Sequence, residues 1–345
     1  MLTRYKIIYF SSLYGLLLLS LFFSLFSLAP LTLQEVSAAP SFADNSRQTL
    51  STSGSNYLFL GIDNTSHSSD VIMLAHIDQD GKNMKLLQIP RDSYAAGYGK
   101  INSIFSKAYV QAKKENRSEY DACLSGADAL ASHLSLMLGI TIDCRAVLTL
   151  SDFRVLIDSV GGVPITLPQD LDYEDPAQGL SIHLKQGEQV LDGKSAEGLV
   201  RCRNAYPTAD YGRMDAQKLF LSALFEKLRY HTSPFQILGL IRKAHRYIKT
   251  DLTLSSTLSL GKKVLSAKDE HLYAATLVGK TLTLSSGMVE ILPADSVKAA
   301  SLWLEGNYSE DNALKACVGT SQKALLLYQT PAEIPFTPRV AKEKN

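Results

Sequence analysis

Three stretches of this sequence place charged side chains at spacings that suit a hard cation and a phosphate. In the first, Gly61-Ile62-Asp63 is followed by Ser68-Ser69-Asp70. Two carboxylates brought together by so short a loop can hold a divalent cation such as Mg²⁺. Taken alone, each Asp serves more ordinarily to close a turn. In the second, Ile89-Pro90-Arg91-Asp92, a proline ends an apolar run and throws Arg91 and Asp92 into a loop. An arginine there can grip phosphate bidentately, with Asp92 orienting it or helping to bind metal. As a surface ion pair the two would be worth little. Lys100, just ahead of a predicted helix, adds positive charge nearby.

The third stretch is the richest: Arg201-Cys202-Arg203, then Asp210, Arg213 and Gln217. Read as a strand, Arg201 and Arg203 point one way and Cys202 the other. On a helix, Arg213 and Gln217 lie one turn apart on the same face. A helix start near Asp210 and Gly212 favours anions. Three arginines converging there are costly unless an anion neutralises them.

Other chemistries lose support. The seven histidines show no metal-ligand spacing such as H-x-x-x-H. There is no Gly-x-Ser-x-Gly elbow and no P-loop. A net charge of +1 gives no global attraction to nucleic acid. Cys123, Cys144, Cys202 and Cys317 have no C-x-x-C spacing, and they read equally as disulfide partners of an exported domain or as buried thiols.

The elements that must position these residues follow from the apolar runs. Strands are expected at Tyr57–Leu60, Val71–Ile77 and Met84–Ile89, with Asp80-Gly81 as a hairpin turn. Helices follow at Ile101–Lys114 and Ala122–Leu138. Ala146–Leu150 reads as a strand, Asp152 as the N-cap of a helix reaching Ser159, and Val163–Leu167 as another strand. Asp215–Tyr230 is an amphipathic helix. This alternation predicts an α/β fold, an αβα sandwich with a mixed central sheet. The three charged stretches then fall at strand ends, where open α/β sheets bind ligands.

The amino terminus points to export. Arg4 and Lys6 precede residues 7–34, a stretch without charge. That is long enough to span a bilayer, which takes roughly 20 residues, and longer than the roughly 7–15 apolar residues of a signal-peptide core. The basic flank keeps the terminus in the cytoplasm; the alternative is cleavage at the small residues Val36-Ser37-Ala38-Ala39, which would release the exported domain. The expected organisation is a cytoplasmic tail 1–6, a transmembrane anchor 7–33, a linker 34–55, a catalytic core 56–232 and a part 233–345 that completes the same domain.

Taken in order, these motifs resemble the LytR–CpsA–Psr family. The match consists of Gly61-x-Asp63, Asp70, Pro90-Arg91-Asp92, Lys100-Ile101-Asn102, Asp158 to Val163, Leu191-Asp192-Gly193, Ala196, Arg201, Arg203, Asp210, Arg213 and Gln217. The resemblance implies a membrane-anchored, extracytoplasmic phosphotransferase. Such an enzyme moves a glycopolymer from a polyprenyl diphosphate to peptidoglycan, as in wall teichoic acid or capsule attachment. Carried over, Asp63 and Asp70 would bind Mg²⁺ (or Mn²⁺). Lys100, Arg201, Arg203, Arg213 and Gln217 would hold the diphosphate. Arg91, Asp92 and Asp210 would serve the chemistry, with one of the two carboxylates as base. The helices carrying Ile104-Phe105 and Leu219-Phe220 are candidate walls for the polyprenyl tail. Family members carry an Arg shortly after the first Asp, whereas Asn64-Thr65-Ser66 stands here, and Met214-Asp215-Ala216 lacks the second Arg common before the Gln. The same site could instead serve a polyprenyl diphosphate phosphatase, with water as acceptor, or a non-catalytic envelope binding protein.

Overall fold

The computed structural model describes residues 54–305 apart from 82, 177–178, 268–271 and 286. The expected tail and anchor, and nearly all of the expected linker, lie outside the described residues. Among the described residues no helix is long and apolar enough to cross a membrane.

In chain order, β1 (Gly54–Ile62), β2 (Ser69–Asp78) and β3 (Met84–Gln88) precede a small ribbon, β4 (Tyr94–Ala95) with β5 (Gly99–Lys100). Helices α1 (Asn102–Lys114) and α2 (Glu119–Leu138) follow, then β6 (Cys144–Thr149) and α3 (Leu150–Val160). Next come β7 (Val163–Leu167), β8 (Leu171–Asp175), β9 (Leu180–Leu184) and β10 (Gly187–Leu191), with β8 pairing β9 and β7 pairing β10. The remaining elements are α4 (Gly193–Arg201), α5 (Asp210–Tyr230), α6 (Pro234–Tyr247), β11 (Lys249–Thr250), α7 (Leu254–Ser266), β12 (Leu272–Thr276), β13 (Lys280–Leu284), β14 (Gly287–Ile291) and α8 (Ala294–Leu304).

Six strands form one mixed sheet in the order β11-β6-β1-β2-β3-β12. β1 runs parallel to β6 and antiparallel to β2; β3 is antiparallel to β2 and parallel to β12. The carboxyl ends of β1, β3, β6 and β12 therefore share one edge with the start of β2. The tight turn between β2 and β3 uses Gly81 at φ +72°, a conformation that glycine adopts at little cost.

Strand alternation sorts the two faces of the sheet. Leu58, Leu60 and Ile62 of β1 point to one face, where Phe105 of α1, Leu130 and Leu134 of α2 and Trp303 of α8 close a core. Burying each such side chain contributes roughly 1.5–3 kcal/mol. Leu87 and Ile89 join that core, so Gln88 between them faces the other way, and Thr276 does so between Ala275 and Leu277. On that second face lies α5: Gln88 Nε2 donates to Gln217 Oε1 (3.2 Å), and Lys218 Nζ donates to Thr276 Oγ1 (3.0 Å). A second core, with Val163, Ile165, Ile182, Leu191, Leu199, Leu219 and Phe220, joins α5 to α3, α4 and the β7–β10 strands.

Several sequence expectations need correction. Phe105, Ile104, Leu219 and Phe220 are core residues with at most 2% exposure and do not line the open cleft. Arg201-Cys202-Arg203 is not a strand. Asp192 starts a helix, its carboxylate accepting from Ser195 N (2.8 Å), and Arg201 is the last residue of that helix. The N-cap of α3 is Thr149, whose hydroxyl accepts from Asp152 N (3.1 Å), while the Asp152 carboxylate pairs with Lys249. The helix expected from Asp215 already begins at Asp210. Cys123, Cys144 and Cys202 are unpaired thiols, and Cys317 lies outside the described residues.

The motif residues Asp158, Gly162 and Gly193 position α4. Asp158 Oδ1 accepts from Gly193 N (2.7 Å). Gly162, at φ +75°, packs so closely that a Cβ would lie 2.9 Å from Leu191 O. A Cβ on Gly193 would lie 2.4 Å from Arg154 O of α3. Gly193→Ala is therefore expected to lower stability by about 1–3 kcal/mol, as overpacking does, with the loss read from urea denaturation. An unchanged midpoint would show that α4 sits less tightly on α3 than described.

Candidate active site

A cleft of about 630 Å³ opens at the shared sheet edge. Asp63 leaves β1 into it. Its Oδ1 accepts the N–H groups of Thr65 (2.9 Å) and Ser66 (2.8 Å), closing an Asx turn. Burial opposes the charge of Asp63, but those backbone bonds, the Ser66 hydroxyl and Arg201 together hold its carboxyl below the ordinary carboxylate value. Asp63 is thus ionised throughout the neutral range.

A ladder of alternating charge runs along the cleft wall. Arg91 donates to Asp70 Oδ1 (2.6 Å) and its Nε lies 3.6 Å from Asp210 Oδ1. Asp210 lies 2.8 Å from Arg213, which also reaches the backbone carbonyl of Asp70 (3.3 Å). Arg213 is only 5% exposed. Burial pushes its guanidinium down from the ordinary value; Asp210 and Asp70 pull it back, while Arg91 and Arg203 push it further down. An arginine does not give up its proton in a protein, so the crowding acts as stored demand for negative charge. The Nε atoms of both Arg91 and Arg213 are buried with no hydrogen-bond partner among the described residues.

The other cations come from three elements. Arg201, at the end of α4, bonds Glu197 one turn earlier (2.9 Å) and sits 3.9 Å from Asp63 Oδ2. Glu197 is 2% exposed and also pairs with Arg154, so it fixes the arginine. Its signal in the sequence is the i,i+4 spacing to Arg201. Arg203 lies in the loop after α4, its Nε 3.4 Å from Asn204 Oδ1. Lys100, on β5, pairs with Asp92 (2.8 Å). Gln217 donates to Val200 O (3.0 Å), which ties α5 to the end of α4.

Of the ten residues singled out in the sequence, Asp63, Asp70, Arg91, Asp92, Lys100, Arg201, Arg203, Arg213 and Gln217 line the cleft. Asp210 does not; it lies behind the arginines and braces Arg91 and Arg213. The wall holds five cations against three carboxylates, an excess suited to an anion such as a diphosphate. Asn64, where the family resemblance leads to the expectation of an Arg, exchanges hydrogen bonds with Ser151 at the start of α3 (2.9 and 3.2 Å). It ties the loop down and adds no charge. Tyr173, Leu180, Asn102 and Asn204 also line the cleft. Tyr173 and Leu180 had no local sequence signal, since the β8–β9 hairpin that brings them is defined by long-range packing.

The donors suit a hard cation. Mg²⁺ takes one or two carboxylates and completes its shell with water and phosphate oxygens. Asp63 and Asp70 line one cleft beside the hydroxyls of Ser66 and Ser68. Among the described residues no three His, Cys, Asp or Glu gather as a metal cage.

The β8–β9 hairpin carries its own charge device. On its solvent side His183 lies between Asp172 (2.8 Å) and Glu174 (2.7 Å). Hydrogen bonds to Asp172 first, and then Glu174, raise its imidazole above the ordinary value. A raised value means the contribution to the hairpin is complete below the unfolded value and fades as pH climbs through the folded one. An NMR titration should find His183 above the ordinary histidine value, with Asp172→Asn lowering it. No change in that variant would contradict the pairing.

Comparisons with known proteins match the sequence and the fold. The profile of the LytR_cpsA_psr family covers residues 32–303. The polyisoprenyl-teichoic acid–peptidoglycan teichoic acid transferase TagV of Bacillus subtilis is 26% identical over 240 residues, 66% of this chain and 57% of TagV. The cell wall biosynthesis protein LcpA of Corynebacterium glutamicum is 31% identical over 180 residues, 48% of this chain and 34% of LcpA. The chain thus spans only about a third to a little over half of these relatives' length. The crystal structure of B. subtilis TagV superposes with a TM-score of 0.59 at 23% identity, over 75% of this chain and all of that one. The structure of TagT bound to LIIa-WTA does so with 0.57 at 22% identity, over 74% and 91%. With the mixed sheet, the charged edge and a profile match over most of its length, this chain belongs to the LytR_cpsA_psr family.

Proposed function

We propose that this chain transfers a phosphate-linked glycopolymer from a polyprenyl diphosphate carrier to peptidoglycan, as in attachment of wall teichoic acid or capsule. Its domain would stand on the outer face of the cell membrane, anchored by the apolar run 7–33. The observation that carries the reading is the convergence of Arg91, Lys100, Arg201, Arg203 and Arg213 on one cleft, with Arg213 crowded and almost fully buried. Membership of a family whose relatives include a named teichoic acid transferase supports it.

The residues divide the work. Arg91, Arg201, Arg203 and Arg213 neutralise the charge that builds on the phosphoryl oxygens. An acceptor hydroxyl attacks the sugar-bearing phosphorus. The bond from that phosphorus to the bridging oxygen breaks, and polyprenyl monophosphate leaves. Asp92, the base candidate on the cleft wall, takes the hydroxyl proton, oriented by Lys100 at 2.8 Å. Asp210 braces Arg91 and Arg213 from behind. Asp63 and Asp70 would hold Mg²⁺ or Mn²⁺, which when bound supplies further charge stabilisation. A membrane anchor would keep the enzyme on the same surface as its lipid substrate, raising the effective concentration.

The test is full-length protein in detergent with a short polyprenyl diphosphate glycan and Mg²⁺, with and without peptidoglycan fragments, followed by mass spectrometry. A phosphodiester-linked sugar on the peptidoglycan glycan is the expected product. Cleavage at the same rate with and without acceptor, with no labelled peptidoglycan, would mark a phosphatase. Bound but unreacted lipid would mark a binding protein.

A further inference from the structure

The cation cluster accounts for the diphosphate but leaves one wall of the cleft without a role. That wall is Tyr173 with Leu180, from the β8–β9 hairpin, and Asn204, from the loop after α4. Tyr173 is half-buried, and its hydroxyl is occupied on both sides. It accepts from Asn204 Nδ2 (2.8 Å) and donates to Asp175 Oδ2 (3.2 Å). The hydroxyl is thus engaged in fixing the ring, which packs against the second core while the residue lines the cleft. Asn204 in turn lies 3.4 Å from Arg203 Nε through its Oδ1. An aromatic side chain held at its hydroxyl and an amide are therefore linked directly to Arg203, one of the cleft's cations.

We infer that Tyr173 and Asn204 form a sugar subsite that holds the first pyranose of the donor, the one bonded to the diphosphate. The inference rests on the transferase reading above. A pyranose has an apolar C–H face that packs on an aromatic ring, and hydroxyl or acetamido groups at its edge that an amide can bond. An aromatic body beside a few placed polar groups is how small-molecule sites fix orientation. A polyprenyl chain would need a continuous apolar trough, whereas this wall is interrupted by Asn204 and Arg203. The subsite would select for the sugar without adding charge, and it would set the phosphorus against the arginines.

Binding of two probes to full-length protein separates the readings: polyprenyl diphosphate carrying one N-acetylhexosamine, and the same lipid diphosphate with no sugar. Tyr173→Leu removes the ring and keeps apolar volume; Tyr173→Phe keeps the ring. The expected result is that Tyr173→Leu weakens the sugar-bearing probe about tenfold and leaves the sugar-free probe unchanged, while Tyr173→Phe retains most of the affinity. Equal weakening of both probes, or none, would overturn the subsite and leave the transferase reading standing. Wild-type protein that binds neither probe would overturn that reading itself, and the subsite with it. Circular dichroism and thermal melts of both variants exclude misfolding as the cause of a loss.

Discussion

Arg213→Ala is expected to lower transfer by roughly 10²–10³-fold, the cost of deleting one preorganised donor to developing charge. Arg213 is the deepest cation of the cleft, 5% exposed, on the first turn of α5 and pressed between Arg91, Arg203 and Asp210. In the free protein that crowding is unfavourable; a bound diphosphate relieves it. The variant loses the Asp210 pairing at 2.8 Å together with the repulsion from Arg91 and Arg203, so urea denaturation is run beside the rate to separate catalysis from folding. Arg213→Lys should recover only part of the rate, since an ammonium supplies a point charge in place of a planar fork. Steady-state transfer with a synthetic donor checks both. A rate within threefold of wild type for folded Arg213→Ala would remove Arg213 from the machinery.

Lys218→Ala is expected to cost about 3–5 kcal/mol of stability, the range for breaking a buried ion pair on one side. Lys218 and Asp215 are 7% and 3% exposed at the side chain and meet at 2.6 Å on α5. Lys218 also donates to Thr276 Oγ1 of β12 (3.0 Å). Truncating it removes the ion-pair partner of the buried Asp215 carboxylate. Since whole domains are stable by only about 5–15 kcal/mol, the variant should unfold far earlier in urea. Replacing both partners with apolar side chains of similar volume should restore most of the loss, because the desolvation cost disappears with the charges. A shift below about 1 kcal/mol in Lys218→Ala would mean that water reaches Asp215.

These two residues also show what could be read from the sequence. Strands such as Val163–Leu167 and helices such as Asn102–Lys114 follow from local apolar period and stand close to where the pattern puts them. The charged ends of β1 and β3 were legible for the same reason: short strands with polar exits leave little choice about where Asp63 and Arg91 emerge. The α5 helix was harder. Arg213 and Gln217 were legible as one face a turn apart, but Asp215 and Lys218 carried no such signal, and all four are buried, facing the cleft or the far side of the sheet. Polarity in a sequence does not reveal whether its partner is water, a buried carboxylate or a ligand. The Arg201–Arg203 segment was misread because two apolar residues, Leu199-Val200, resemble a strand; the cap at Asp192, nine residues before Arg201, decides for helix. The hairpin that brings Tyr173 to the cleft depends on a core distant in sequence, from Ile182 and Leu184 to Leu219, and no local pattern encodes that.

The central claim is that the arginine cleft is where the diphosphate of the lipid-linked donor sits. The most direct measurement is a crystal structure of the protein bound to a short-chain polyprenyl diphosphate glycan. The account predicts both phosphates within hydrogen-bond distance of Arg213 and at least two of Arg91, Arg201 and Arg203, with the lipid leading away from the sheet edge. Donor bound elsewhere on the surface, with the Asp70–Arg91–Asp210–Arg213 ladder untouched, would contradict it.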